Sequence, residues 1–547
     1  MPVYRKRQTL WDIRFIIEGK SGSLSLYRCN SKMGGIMKSS RFRTVLLFAT
    51  AFLFACTASA HAAAKESIPV TVLFLNDVHG YLEPFQVTAK EAKTEVGGMA
   101  RIAARIRDIE KQNRENGIRT FVLIAGDILQ GTPMSTVFKG AADIDVYNAM
   151  GVDALTLGNH EFDFGADNLK ALMDSARFPF LSANLWWKKS GALIGRPSIS
   201  FPISEGIFLH IIGITTPRLI YETHPDNIAD VRVEDPVSTA ETAHAALDGK
   251  GPVLVLSHSR IETDRAVARA LPGVAAIIGG HEHLLLSPPL VEGTVLIFQA
   301  SEKGRYLGRI DLEVDSTTGA ARVKSAEYIP IHEEMPADQE IAAIVFKHRA
   351  QLTDAFKAVI GLTRVPLQAE RKQIRSGETN FGDFVADAIR LASQADIALL
   401  NSGAIRASLD AGEISLEDLF RAFPFDNEIV LVDLTGQEVA AMLERSVSGG
   451  PGDDDGGFLQ VSGIRFDIRG KSVKQVTLDR ERQLLDPDAA YRVAVTDFLH
   501  AGGDGYGMLK GKPGLKTGVP LRELMVETIR KKKEISPAED GRIRRLP

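Results

Sequence analysis

Cysteine is nearly absent: the 547-residue chain has two, Cys29 and Cys56, and both fall within its first 61 residues. Downstream of them no disulfide, thiolate nucleophile or cysteine-ligated zinc is possible. Stability must come from core size, and any metal must sit on nitrogen and oxygen. A basic surplus is missing too. The formal net charge is −4, and residues 1–61 hold ten of the 65 Lys/Arg but two of the 69 Asp/Glu, so the remainder carries 55 basic against 67 acidic residues, a net of −12. That excludes the electrostatic footprint of a nucleic-acid polymer binder. An acidic protein that handles an anion must attract it locally, through metal ions and a few arginines. No repeat of fixed period is present, which excludes solenoids and propellers.

What is there describes a soluble globular chain, with 44% apolar and 24% charged residues. Its length calls for two domains plus processing segments. Met37-Lys38 opens a basic stretch with Arg41 and Arg43, Val45–Cys56 is apolar, and Ala58-Ser59-Ala60 offers an A-x-A cleavage site. Residues 1–61 are thus expected to be an N-terminal extension and signal peptide, with Met37 a candidate start. The protein is expected to be exported, periplasmic or secreted, with no stable membrane span once the signal is removed, because the apolar run is short for a span. A retained anchor is the competing reading, and Leu53-Phe54-Ala55-Cys56 resembles a lipoprotein acylation site only faintly.

From Val70 onward, short apolar, β-branched runs alternate with helical patterns: Val70–Leu75, Phe121–Ala125, Ala154–Leu157, Val253–Leu256, Val274–Ile278 and Val295–Ala300. Met99, Ile102, Ile106 and Ile109 keep helical spacing between the first two. Such runs suit strands buried on both faces, so residues 66–335 are expected to form a layered α/β domain. Residues 336–360 read as a helical linker, a semi-rigid spacer. Residues 361–530 form a second, smaller α+β region, with a helix near Asn380–Ala392, a flexible acidic loop at Gly449–Gly457 and a strand at Tyr491–Thr496. Residues 531–547 read as a charged tail that frays.

The chemistry lies where the runs end. Val72–Leu75 leads into Asn76-Asp77-Val78-His79-Gly80, and Phe121–Ala125 into Gly126-Asp127. Ala154–Leu157 leads into Gly158-Asn159-His160-Glu161, Val253–Leu256 into Ser257-His258, and Val274–Ile278 into Gly279-Gly280-His281-Glu282-His283. Five of the 12 histidines sit at these ends. One Asp-x-His after a strand is an ordinary turn. Five such ends in one domain are not, because ligands of α/β sheets bind beyond the carboxyl ends of strands. Carboxylates, imidazoles and an Asn carbonyl without thiolate suit a hard-to-borderline metal pair. Two divalent ions about 3.5–4 Å apart can share a carboxylate and clamp both oxygens of a phosphoester displacement. His160, next to Asn159, can face substrate, and Asp163 can orient it and keep it charged. It would then stabilise phosphate charge or protonate the leaving oxygen. The competing role is a further ligand or a support to one.

The series Asp77-x-His79, Gly126-Asp127, Gly158-Asn159-His160-Glu161, His258 and Gly280-His281-x-His283 resembles the signature of calcineurin-like metallophosphoesterases. Its order and continuation are similar to the 5'-nucleotidase / UDP-sugar hydrolase family. The resemblance implies an α-β-β-α layered domain and two divalent metals, with Mn, Zn or Co plausible. Asp77, His79, Asp127 and His283 would hold one metal. Asp127 would bridge, and Asn159, His258 and His281 would hold the other. Many relatives have Gln where His283 stands.

A metallophosphoesterase needs no second domain for chemistry, so residues 361–530 should select the substrate. Arg375 before Glu378-Thr379-Asn380-Phe381-Gly382, then Asn401-Ser402-Gly403-Ala404-Ile405-Arg406, Pro424-Phe425-Asp426-Asn427 and Asp497-Phe498 with Gly502-Gly503-Asp504-Gly505 resemble the same family's second domain. Phe425 and Phe498 can stack on a base, worth about 1–3 kcal/mol. Asp504 can accept from ribose hydroxyls, Asn401 and Asn427 can meet polar edges, and Arg375 and Arg406 can grip phosphate. Ser402-Gly403-Ala404 and Ala501 depart from the family pattern and leave room for a different sugar or a smaller group. The resemblance implies hydrolysis of nucleoside 5'-monophosphates, with UDP-sugars or cyclic nucleotides as further substrates. It also implies a second domain that rotates, with the linker as a hinge region. A thiosulfohydrolase-like enzyme and a binding protein with a relict site are the alternatives.

Overall fold

The computed structural model describes residues 67–547, apart from 90–91, 353, 451–453 and 480–482. The expected signal peptide lies outside the described residues.

Alternation along the strand Ser67–Leu75 sets the layering. Val70, Val72 and Phe74 point into one core, and Leu73 and Leu75 into another, as the two-residue period of a strand demands. The first core lies between two six-stranded sheets, where Phe121 and Leu123 face Leu209, Ile211, Leu254, Leu256 and Phe298. The second lies under helices, where Met99, Ile102, Ile106 and Ile109 of the helix Met99–Glu115 pack on the outer face. Beyond the second sheet, Ala240, Ala243, Val267 and Ala268 of two further helices cover Ile212, Val255 and Ile277. The order is helix, sheet, sheet, helix.

In the first sheet Ser67–Leu75, Arg119–Ile124, Ala154–Thr156 and Phe180–Leu181 run parallel in that spatial order. In the second, Ile207–Thr215, Val253–His258, Ala276–Ile278 and Val295–Phe298 do the same. Parallel pairing aligns the carboxyl ends, so the loops leaving five strands emerge along one rim.

The second region holds a five-stranded mixed sheet with Ile397–Asn401 and Ala490–Thr496 adjacent near its centre. The helix Asn380–Ser393 packs on it. Thr379 caps that helix by accepting from Gly382 N at 3.1 Å, and Gly382 is fixed because a Cβ there would stand 2.2 Å from Gln460 Oε1.

Three expectations change. The linker helix spans Gln339–Gln351 rather than 336–360. Asp338 caps its start by accepting from Glu340 N and Ile341 N, and Val359 and Ile360 leave helix for the strand Val359–Thr363, paired with Gly412–Ser415. Ile341 and Val345 are buried in the first region's core, so this helix belongs to that region and is no free spacer. The tail does not fray: Glu534–Ile535 pairs with Val359–Thr363, and Ile543–Arg545 with Ile464–Arg469. Pairing across the chain and one buried arginine overrule the charged composition. The described part of the acidic loop is pinned as well, with Asp454 against Arg371 and Arg375 and Asp455 against Arg445.

The buried arginine is Arg542, 5% exposed. It donates to Asp387 Oδ1 at 2.8 Å, Asp540 Oδ2 at 2.9 Å and Val461 O at 3.0 Å, and its Nε lies 3.3 Å from Asp383 Oδ1. Burial pushes the Asp383 carboxyl up to about 9 despite this cation. Arg542→Ala removes these hydrogen bonds, two of them to half-exposed carboxylates, and is expected to cost about 1–3 kcal/mol, read as a lower urea midpoint.

Candidate active site

Three of the five strand-end loops turn sharply to aim their side chains inward. Asp77, His79, Asp127, His281 and His283 have φ of 51°, 52°, 53°, 78° and 60°. The left-handed region is unusual for residues with a Cβ, least so for Asp and His. Such conformations cost about 1–3 kcal/mol each and persist where surrounding structure fixes them. The neighbouring glycines are fixed by the same crowding. A Cβ on Gly158 would meet Asp127 Oδ1 at 2.2 Å, one on Gly126 the His258 ring at 2.5 Å, and one on Gly280 the Ala125 carbonyl at 2.5 Å.

Two donor groups result. Asp77, His79 and His283 form one, with His283 Nε2 3.0 Å from His79 Nε2 and 3.3 Å from Asp77 Oδ1. Asp127, His258 and His281 form the other, with His258 Nε2 3.1 Å from Asp127 Oδ2 and His281 Nδ1 3.1 Å from Asn159 Oδ1. Asp127 Oδ2 also lies 3.9 Å from His79 Nε2, between the two groups.

Both groups fit metal on their own geometry. A ligating imidazole needs its outward N–H held by an acceptor so that the inward nitrogen keeps its lone pair. His79 Nδ1 lies 3.2 Å from the Leu129 carbonyl and His258 Nδ1 2.8 Å from that of Ala125. His281 Nε2 is 3.4 Å from Glu222 and His283 Nδ1 2.6 Å from Glu302. All four imidazoles can therefore turn a bare nitrogen inward. His258 Nε2 is buried there with no hydrogen-bond partner. Burial opposes charge on His258, yet Asp127 draws its pKa up to about 10. Burial holds the pKa of His79 and His281 below the ordinary imidazole value, which favours their neutral, ligating form.

His160 joins a third such group, with His79 and Asp127. Its Nδ1 is 2.5 Å from Asp163 Oδ2 and its Nε2 4.0 Å from Asp127 Oδ2. Burial lowers its pKa, but Asp163 and then Asp127 outweigh that and raise it, which favours the imidazolium. Its ring stacks on Phe425, with centroids 5.8 Å apart, and Arg406 Nη2 approaches Nε2 to 3.5 Å.

A cavity of ≈ 360 Å3 opens here between the two regions. Asp127, Asn159, His281 and His283 line one part of it. All seven substrate-binding candidates, Arg375, Asn401, Arg406, Phe425, Asn427, Phe498 and Asp504, line the rest. Asn401 Nδ2 donates to Asp504 Oδ2 at 2.9 Å, while its buried Oδ1 has no partner. The Phe498 ring lies where a Cβ on Gly503 would stand, 2.5 Å away, which explains that glycine. Burial, and then the charge of Arg371, depress Arg375 to about 10 and also lower Arg406. Three crowded guanidiniums are short of negative charge, which is the condition for holding a phosphate.

Sequence reasoning missed several members. Arg371 donates to the His281 carbonyl at 3.2 Å and lies 3.1 Å from both ring nitrogens of His283; its one signal was a place four residues before Arg375. Glu161 was part of a quoted motif without a role. It accepts from Gly158 N, Asp127 N and Ile128 N at 2.6, 3.0 and 2.8 Å, tying two ligand loops together. Glu222 is a single glutamate outside any motif. Glu302 follows the sixth apolar run, the one given no ligand.

A metal-ready rim on an α-β-β-α layer, capped by an aromatic and cationic second region, defines a two-domain metallophosphoesterase. Known proteins agree. The calcineurin-like phosphoesterase family matches residues 70–285, and the 5'-nucleotidase C-terminal domain matches residues 359–511. Snake venom 5'-nucleotidase from Crotalus adamanteus is 30% identical over 93% of this chain and 94% of its own. A trifunctional nucleotide phosphoesterase from Bacillus subtilis is 29% identical over 87% of this chain, which spans 35% of that longer protein. The crystal structure of a 5'-nucleotidase precursor from Thermus thermophilus superposes with a TM-score of 0.79 at 30% identity, covering 88% of this chain and 99% of that one. A sulfate thiohydrolase from the same organism shares the fold, with a TM-score of 0.72 at 18% identity over 87% of this chain and 96% of that one. The chain belongs to the 5'-nucleotidase family. It is a phosphoric ester hydrolase.

Two substitutions probe the centre. Gly158→Ala is expected to displace Asp127 and to abolish both bound metal and turnover, measured by metal analysis and phosphate release. His160→Ala is expected to lower kcat by about 100-fold or more with metal content intact, and loss of metal would instead make His160 a ligand.

Proposed function

We propose that this is an exported 5'-nucleotidase that hydrolyses nucleoside 5'-monophosphates to nucleoside and phosphate. The observation that carries the reading is the shared cavity in which metal-ready side chains, crowded arginines and Phe425, Phe498 and Asp504 face one another. It fits a phosphate at one end and a nucleoside at the other.

Two divalent cations, held by Asp77, His79, Asp127 and His283 and by Asp127, Asn159, His258 and His281, would supply Lewis acidity and activate water. The chain's own groups do the rest. Arg375 and Arg406, with Arg371 beside them, hold the phosphate oxygens and neutralise the charge that builds up on them. His160 keeps a proton on Nε2, with Nδ1–H donating to Asp163, and delivers it to the departing ribose oxygen. Phe425 and Phe498 stack on the base, and Asp504, fixed by Asn401, accepts from the ribose. Phe425 and Arg406 touch His160 across the cavity, so nucleoside recognition and proton delivery share a wall. If the second region rotates to carry substrate inward, the movement falls on the short connection after Gln351, because the helix before it is built into the first core.

UDP-sugars and cyclic nucleotides are further substrates under this reading. The paired phenylalanines favour a nucleotide over thiosulfate, and convergence of all seven ligands favours an enzyme over a relict binding site.

A panel of AMP, UDP-glucose, 2',3'-cyclic AMP and p-nitrophenyl phosphate with Mn2+, Zn2+, Co2+ or EDTA tests the reading. AMP is expected to exceed p-nitrophenyl phosphate strongly in kcat/KM, and EDTA to remove activity. Phe498→Ala is expected to raise KM for AMP by about tenfold, from the loss of stacking, and to leave KM for p-nitrophenyl phosphate unchanged. Equal use of the two esters by the unmodified protein would overturn the assignment.

A further inference from the structure

His283, the last of the candidate ligands along the chain, has a partner of its own. The loop after the strand Val295–Phe298 is clamped to the Asp77 turn at three points. Ala300 N donates to Asn76 Oδ1 at 2.8 Å, Asn76 Nδ2 to Ser301 O at 2.6 Å, and Lys303 N to Asp77 O at 2.7 Å. Ser301 and Lys303 both adopt left-handed backbone, with φ of 65° and 57°, and Glu302 stands between them. Two strained residues on either side of one glutamate fix its direction. Its Oε2 lies 2.6 Å from His283 Nδ1.

We propose that Glu302 is a positioning residue for the first metal, one that sets the donor nitrogen of His283. The inference rests on the two-metal reading of the site. A carboxylate can only accept, so Nδ1 carries the hydrogen and Nε2 keeps its lone pair. That lone pair is directed at the Asp77 and His79 side chains, 3.3 and 3.0 Å away. The negative charge behind the ring strengthens Nε2 as a donor. Of the four imidazoles in the two groups, His79 and His258 lean on backbone carbonyls. His281 leans on Glu222, which Arg218 Nε also engages at 3.0 Å. Glu302 has Lys303 as a neighbour, 3.5 Å away. Arg371 Nη1, equidistant from both ring nitrogens, lies over the His283 ring and not in line with either lone pair.

The test is Mn2+ titration by calorimetry of the full chain and of Glu302→Gln, Glu302→Asp, His283→Gln and the Glu302→Gln/His283→Gln double variant. Glu302→Gln is expected to weaken one of two Mn2+ sites by about 10- to 100-fold and to leave the other unchanged, with turnover restored at saturating Mn2+. Glu302→Asp keeps the charge but withdraws it, and should fall between. In the His283→Gln background Glu302→Gln should add nothing, because its target ring is gone. Unchanged Mn2+ affinity in both Glu302 variants overturns the proposal, as does an equal loss in the His283→Gln background. The carboxylate would then serve Lys303 alone. Failure of the unmodified chain to bind two Mn2+ overturns the two-metal reading itself, and this proposal with it.

Discussion

Everything in the site is arranged around one carboxylate. Asp127 sits in a left-handed turn, its amide bound by Glu161 and its Oδ1 accepting from His160 N at 3.0 Å. Its Oδ2 faces His258, His79 and His160 from three different loops. Burial works against a charge there, yet the surrounding imidazoles, His258 foremost, hold its pKa well below the ordinary carboxylate range. A buried anion kept ionised by its neighbours is a strong attractor of cations. The strained turns and the glycines beside the ligands all serve to leave that carboxylate room and aim.

The same logic runs with opposite sign on the facing wall. The protein downstream of residue 61 is acidic, but Arg371, Arg375 and Arg406 crowd together against the metal-ready groups. Each is partly met by a group on hand: Arg371 and Arg375 by Asp454, Arg406 by the Phe425 face. A long-range field of the wrong sign is offset by a short-range cluster of the right one, which is what an anionic substrate requires of such a surface.

Much of this was legible in the sequence. Runs without alternation announced strands covered on both faces, and the polar residues at their ends announced a shared rim, because parallel pairing leaves no other place for them. What could not be read were residues whose importance comes only from proximity. Glu222, at the end of the short helix Leu219–Glu222, and Glu302, in the loop after Val295–Phe298, belong to no motif and reach their histidines only through the fold. The helix Gln339–Gln351 ended early because Val359 and Ile360 had a strand partner more than 50 residues away, at Gly412–Ser415. Local propensity cannot anticipate such a competitor. The tail was misjudged for a similar reason: its charge suggested solvent, and the carboxylates that receive Arg542 lie on the helix Asn380–Ser393 as well as in the tail itself.

That tail gives the second region an unusual closure. Its opening strand, Val359–Thr363, pairs with Glu534–Ile535, and Asp383 keeps its buried carboxyl beside a guanidinium that arrives more than 150 residues later. The region's core, which includes Ile535, is complete only when the strand Glu534–Ile535 is seated, and contacts so far apart in the chain form slowly.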